Sequence, residues 1–446
     1  MTLIAKESSG APAAAAGAQD PGAPPPPSPP APQSNSGQIV RLLVGLALIT
    51  AIFLAAGLGD LLLFIVILIA IVMLHELGHF LTAKWSGMKV TEFFVGFGPR
   101  LWSVRRGEIE YGVKAIPAGG YVRITGFTVL EDVAAEDEPR AYRQQPFWKR
   151  IIVGSAGSVM HFIIAFVLAL IIVLSFGVPS NNIAVIALDH WKGVPHTPAQ
   201  LAGLKAGDTI VSVDGKSFAS PNSFGDIIGR SAGKTVTLGV EQDGVVRQVR
   251  VTPESGRGIV VDGQKLTSKG YIGVQIKQAL KSASPWSAVS AAGVNVGQAT
   301  SAEVSGVVRT FSPSGFVSVI HQVASSKDAD EAAAHPTTSV RPVSLVGIAN
   351  LGVQAQQAGL ESLLELLILI NVIFGLLNML PILPFDGGHV AVAVYEWIRT
   401  KKGQAYYRAD ITKMFPVVAV LLALLAVFVI SALFLDITHP LKNVFP

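Results

Sequence analysis

The chain predicts a polytopic α-helical membrane protein with an inserted β-rich domain, and three observations carry that expectation. Half of its 446 residues are apolar and only 14% are charged, against roughly 25% charged in ordinary soluble domains. Five separate runs are apolar over lengths close to the roughly 20 residues that a bilayer span requires. Between the third and fourth runs lies a long stretch containing short β-type segments divided by turn signals.

The runs cover residues 39–57, 61–83, 151–176, 360–381 and 415–435. The first is apolar apart from Arg41 near its start, and Gly57-Leu58-Gly59-Asp60 separates it from the second. Residues 1–38 are almost all Ala, Pro, Gly, Ser and Gln, with a proline run from Pro24 to Pro27. Such a composition has nothing to bury against the entropy of ordering and predicts a disordered tail. This polar lead-in is long for the front of a signal peptide, so residues 39–57 read as a retained span.

The charges, 34 basic against 30 acidic, are too balanced and too dilute for a nucleic-acid binder. Their positions say more. Eleven Lys or Arg residues fall between Lys84 and Arg150, and five more between Arg399 and Lys413. The positive-inside tendency puts both segments in the cytoplasm and the stretch 177–359 outside. With no cysteine, the chain forms neither disulfides nor thiolate sites, so any metal falls to His, Asp or Glu.

The outer stretch carries β-type runs at 209–213, 235–240 and 245–251, separated by Asp214-Gly215 and Asp243-Gly244. They define a small β-rich domain, residues 183–279. Residues 280–359 read as an extracytoplasmic linker, and the small side chains of 282–341 assign no fold. In the cytoplasmic segment a hairpin is expected from Glu108 through Tyr111 and Val113, turning at Pro117-Ala118-Gly119-Gly120 into Tyr121, Val122 and Ile124.

The second run contains His75-Glu76-Leu77-Gly78-His79. Two imidazoles four residues apart share one helical face and reach a single tetrahedral ion at about 2.0–2.1 Å. A carboxylate beside them, Glu76, suits a general base for water attacking a carbonyl. The motif lies about 21 Å along the helix from Leu61, at a depth where ionisable groups are costly and a shared cation accounts for them. A polar seam joining helices is the alternative. A third ligand leaves one coordination position open, and the candidate is Asp386 in Asn378-Met379-Leu380-Pro381-Ile382-Leu383-Pro384-Phe385-Asp386-Gly387-Gly388. The two prolines break the helix there, and unwound backbone at membrane depth lines protein or a wet cavity. An ordinary helix exit at the interface is the other reading. His161 is expected to bond a neighbouring helix, with a place near the substrate path as the alternative, and His389 is expected to be structural.

Together these motifs resemble the site-2 protease family of intramembrane zinc metalloproteases, particularly bacterial members with an extracytoplasmic PDZ domain. The resemblance runs from about residue 61 to 435. Besides the two motifs above it includes Gly96-Phe97-Gly98-Pro99 and Ile116-Pro117-Ala118-Gly119-Gly120-Tyr121. It implies a four-helix protease core at 61–176 and 360–446, to which residues 39–57 add a fifth span. It also implies Zn²⁺ held by His75, His79 and Asp386, Glu76 as the general acid/base, and Asn378 engaging the substrate backbone. The segment between the first two family helices is implied to pair with an unwinding substrate. Thr197-Pro198-Ala199-Gln200-Leu201-Ala202-Gly203-Leu204, running on to Gly215, looks like part of a PDZ domain. The expected substrates are single-span membrane proteins such as anti-sigma factors and remnant signal peptides, in a bacterial plasma membrane, with no nucleic acid. One departure stands out: Ala156-Gly157-Ser158-Val159-Met160-His161 puts a histidine where many bacterial members have asparagine. Two rivals are a silent membrane adaptor and a transporter with a broken helix, although no internal repeat supports the latter.

Overall fold

Apolar runs with no neighbouring water must satisfy their backbone internally, and helices do so. The computed structural model describes residues 35–127, 131–189, 195–220, 222–242, 244–257, 260–261, 264–265, 267–334, 340–400 and 407–445. Through residue 34, the tail expected to be disordered lies outside the described residues. Among those described, five helices are long and apolar enough to cross a membrane. The first three are α1 (Asn35–Ala55), α2 (Gly59–Trp85) and α3 (Phe147–Phe176).

Between α2 and α3 the chain forms two long strands, β1 (Val90–Arg106) and β2 (Ile109–Ile124). Each strand bends and works as two runs. Residues 92–95 pair with 120–123 on one side and with 110–113 on the other, while 100–106 pair with 109–114. Residue numbers rise together along the 92–95 and 110–113 pair and run opposite along the other two. The expected hairpin is therefore corrected: 109–114 and 120–124 flank 92–95 and do not pair with each other. Gly112 makes the inserted run possible, since a Cβ there would meet the Trp102 carbonyl oxygen and the Phe94 ring.

The stretch after α3 begins with β3 (Val178–Leu188), followed by α4 (Pro198–Leu201), β4 (Thr209–Val213), α5 (Asn222–Arg230), β5 (Val236–Gln242) and β6 (Val245–Val251). With β7 (Val274–Lys281) they form a five-stranded sheet of order β7-β3-β4-β5-β6. Its core gathers Ile183, Ile210, Leu238 and Val240 from the strands and Phe224 and Ile228 from α5. Asp214 caps the turn with positive φ, a backbone form that Asp tolerates through local hydrogen bonding.

Among the described residues, the stretch read as a linker, 280–359, contains four helices, three of them within 282–341: α6 (Pro285–Thr310), α7 (Pro313–Ala324), α8 (Ser326–Ala334) and then α9 (Leu345–Ala358). Ser284, Ser312 and Ser344 cap α6, α7 and α9 by accepting hydrogen bonds from the N–H three residues on. Helix α6 packs Ala292, Val296 and Ala299 against Ala165 and Ala169 of α3 and Ile368 and Val372 of α10 (Leu360–Asn378). Lipid gives helices no hydrophobic drive to associate, and small side chains permit the close van der Waals contact that replaces it. After α10 come α11 (Asp386–Arg399) and α12 (Phe415–Thr438).

At the end of α12, Asp436 is buried and accepts hydrogen bonds from the Ser344 N–H at 2.7 Å and hydroxyl at 2.8 Å. Arg341 pairs with it at 3.3 Å and also donates to the Leu435 and His439 carbonyls. One buried ionic cluster thus ties α9 to the chain's last span.

Candidate metal centre

The site forms where α2, α3 and the start of α11 meet. An uninterrupted helix over the second run places His75 and His79 on one face, and both are buried. The opposing face of α3 carries glycine. At Gly78 an added Cβ would stand 2.7 Å from the Ala156 carbonyl oxygen, and at Gly157 it would press on both imidazoles. These two glycines let α2 and α3 approach until His79 Nδ1 donates to the Val153 carbonyl at 2.7 Å. That bond fixes the tautomer and turns the Nε2 lone pair inward.

Asp386 arrives from 307 residues away. Helix α10 ends at Asn378, the chain turns through Pro381 and the cis Leu383–Pro384 bond, and α11 starts at Asp386 itself. Gly387 is required because a Cβ would collide with the Met379 and Leu380 carbonyls of that turn. Asp386 Oδ2 lies 3.1 Å from His79 Nε2 and 3.4 Å from His75 Nε2, and the two Nε2 atoms are 3.3 Å apart.

Among the described residues this is the one group of three or more His, Cys, Asp or Glu side chains able to share an ion. The spacing can be tested against zinc. Ligand atoms about 2.0–2.1 Å from a tetrahedral ion stand about 3.3–3.4 Å from one another. The three observed separations match that edge length, and with His79 Nδ1 on the Val153 carbonyl, the His79 Nε2 lone pair faces the Asp386 carboxylate oxygen with no hydrogen between them. The residues fit the ion.

Glu76 points to the neighbouring sheet, where its Oε2 accepts the Val122 N–H at 3.0 Å. A cavity of about 410 Å³ adjoins the site, and its polar lining consists of His75, Glu76, His161 and Asn378. Of the residues singled out in the sequence, Asn378 therefore faces this cavity and Glu76 stands between cavity and sheet. His161 bonds another helix as expected: its Nδ1 meets Asn371 Oδ1 of α10 at 2.9 Å, and its ring centroid also lies 4.9 Å from that of His75. His389 packs on Phe127, with ring centroids 4.1 Å apart.

Sequence reasoning passed over Arg150 and Glu396. Arg150 of α3 and Glu396 of α11 form an ion pair at 2.6 Å with side chains only 4% and 5% exposed. Glu396 also accepts the Ala409 N–H at 2.8 Å. The pair anchors to α3 the helix that begins with Asp386. A charged residue in the first turn of a membrane helix was the available signal, but its partner 246 residues away was not legible.

A multi-pass helical protein with a His-His-Asp centre and an adjacent carboxylate belongs to the class of membrane-embedded metallohydrolases. Comparison with known proteins defines it further. The family model of peptidase family M50 matches residues 63–425, and the chain belongs to that family of site-2 proteases. It is similar to zinc metalloprotease Rip1 of Mycobacterium tuberculosis, 32% identical over 415 residues, which cover 85% of this chain and 97% of the relative. Rip1 of Mycolicibacterium smegmatis is 33% identical, covering 86% and 98% respectively. Among solved structures, the PDZ domain of an SdrC-like protein from Listeria monocytogenes aligns with 22% of this chain and 90% of its own length. That alignment has 22% identity and a TM-score of 0.18. The chain is a zinc metalloprotease of the multi-pass, intramembrane kind.

Proposed function

We propose that this protein cleaves single-span membrane proteins within their transmembrane segments, with His75, His79 and Asp386 holding zinc and Glu76 as general acid/base. The observation that carries the proposal is the convergence of three ligand atoms at 3.1–3.4 Å, buried between α2, α3 and α11 with Glu76 adjacent. A zinc ion held there supplies Lewis acidity, polarising a carbonyl and making water acidic enough to ionise near neutral pH. Glu76 takes the proton of the attacking water and returns it to the leaving amine. The Val153 carbonyl keeps His79 in its ligating tautomer throughout.

A peptide bond in a transmembrane helix is shielded by its own hydrogen bonding and by the lack of water. The substrate must unwind, and the sheet of β1 and β2 offers backbone groups for strand addition. The Asn378 amide, on the cavity wall, takes part of the remaining hydrogen bonding. The Lys and Arg count around that sheet supports a cytoplasmic position for it and an outer position for the five-stranded domain, which we read as a PDZ-type gate. Bacterial relatives support the plasma membrane as its location, and the family resemblance supports anti-sigma factors and remnant signal peptides as substrates.

The test is reconstitution of the full chain in proteoliposomes with a labelled single-span substrate. Wild-type protein is expected to cut within the span, and Glu76→Gln to keep its zinc while losing cleavage. Undiminished cleavage by that variant would overturn the role given to Glu76, and no cleavage by the zinc-loaded wild type would leave a silent adaptor with a bracing metal as the better account.

A further inference from the structure

The cavity beside the centre has an uneven supply of hydrogen-bonding groups. Its apolar wall is Val72, Phe374, Leu377 and Phe385, and its polar groups are His75, Glu76, His161 and Asn378. His75 and Glu76 are committed to the centre, which leaves His161 and Asn378 to meet whatever fills the space.

The state of His161 follows from its partner. Asn371 is fully buried, and its Nδ2 donates to the Leu367 carbonyl at 2.8 Å. Its Oδ1 is therefore the atom turned to His161 Nδ1 at 2.9 Å, and that nitrogen is the donor. The neutral ring then carries its lone pair on Nε2. Among the described residues none hydrogen-bonds this Nε2, while the ring lines the cavity. Asn371 thus presents a fixed acceptor to an apolar space at membrane depth.

Resting on the intramembrane protease reading, we propose that His161 is a substrate-binding residue whose Nε2 accepts a hydrogen bond from a main-chain N–H of the unwound substrate. Asn371 is its positioning residue. An unwinding helix releases N–H donors that have no water to turn to, and each donor left unmet is costly. His161 meets one such donor while Asn378, with an amide hydrogen to give, meets a carbonyl. The two polar residues of the wall complement the two backbone groups of one peptide strand, and the apolar wall takes its side chains. A ligand with acceptors alone would satisfy Asn378 but leave the His161 lone pair unmet.

The experiment measures binding separately from cleavage. Zinc-loaded full-length protein carrying Glu76→Gln is placed in nanodiscs, and the affinity of a fluorescent 24-residue Leu/Ala transmembrane peptide with a central Gly-Ser pair is read by anisotropy. The peptide is compared with analogues in which one central amide at a time is replaced by an ester, removing a single N–H. One ester position is expected to weaken binding about tenfold, the scale of a lost hydrogen bond in a water-poor site. Adding His161→Phe is expected to abolish the penalty at that position alone while zinc per chain stays unchanged. Because the comparison is made within each protein, a general loss of folding in the variant shifts all peptides together and does not imitate this result. Ester penalties that are identical with and without His161, or loss of zinc on its replacement, overturn the proposal. Loss of cleavage in proteoliposomes is a separate readout and bears on the protease reading instead.

Discussion

Arg150 and Glu396 meet at 2.6 Å in the protein interior and join α3 to the helix whose first residue is Asp386. Glu396 lies ten positions beyond Asp386 on α11, about 15 Å along the helix at 1.5 Å per residue. The position of Asp386 is thus set at both ends, by the proline turn before it and by a buried charge pair behind it.

Replacing Glu396 by alanine leaves Arg150 charged and buried without that carboxylate. Removing one member of a buried pair costs about 3–5 kcal/mol. Thermal unfolding in detergent should show a clear fall in midpoint, together with lower zinc occupancy because α11 is less firmly held. Unchanged occupancy and midpoint would show that α11 is positioned by other contacts.

Gly157→Ala tests how tightly the centre is built. The added methyl would press on both imidazoles, so the rings must turn away from their shared point. Zinc affinity is expected to drop roughly 100-fold, the upper end of what supporting residues contribute around a metal, with helix content unchanged. Competition with a graded series of chelators, alongside circular dichroism, reads both quantities.

Val122→Pro removes the N–H that Glu76 accepts at 3.0 Å. That N–H points away from the sheet, and proline is tolerated at such edge positions. The sheet should persist while Glu76 loses its orienting contact. We expect kcat to fall about tenfold, a fraction of the roughly 10²–10⁴-fold that general acid/base groups contribute, with zinc content retained.

The Arg341–Asp436 cluster makes an opposite pair of predictions. Asp436→Ala alone should destabilise by about 3–5 kcal/mol, since it strands a buried guanidinium. Arg341→Met combined with Asp436→Leu should be milder, because buried pairs replaced by apolar groups of similar volume are often neutral, and the cost that remains is the acceptor lost by the Ser344 N–H and hydroxyl. A double-mutant cycle on unfolding midpoints separates the two outcomes.

The sequence made the five spans legible because hydropathy is a local property and needs no partner. His75 and His79 were legible as a pair because four residues close one helical turn. Asp386 was reachable through its prolines and glycines, which announce a break at membrane depth. The interleaved sheet was not, because the order of 92–95, 100–106, 109–114 and 120–124 depends on pairings across distance, and Gly112 shows its purpose only with Phe94 and Trp102 in place. Helices α6 to α9 escaped notice for a different reason. Their buried residues are mostly Ala and Gly, so few large apolar side chains mark the inward face, although Ser284, Ser312 and Ser344 stood at helix starts as usable signals.

Helix α1 has no buried residue between positions 37 and 55. It touches β1 and α2 without burying a side chain in either, so length and average oiliness matter more along it than the identity of any one residue. An apolar exchange along it meets no close neighbour to clash with, whereas a single methyl gained at Gly157 presses on both imidazoles of the centre. Tolerance of substitution is therefore uneven along one polypeptide, with a permissive helix at the front and an exacting hydrolytic unit behind it.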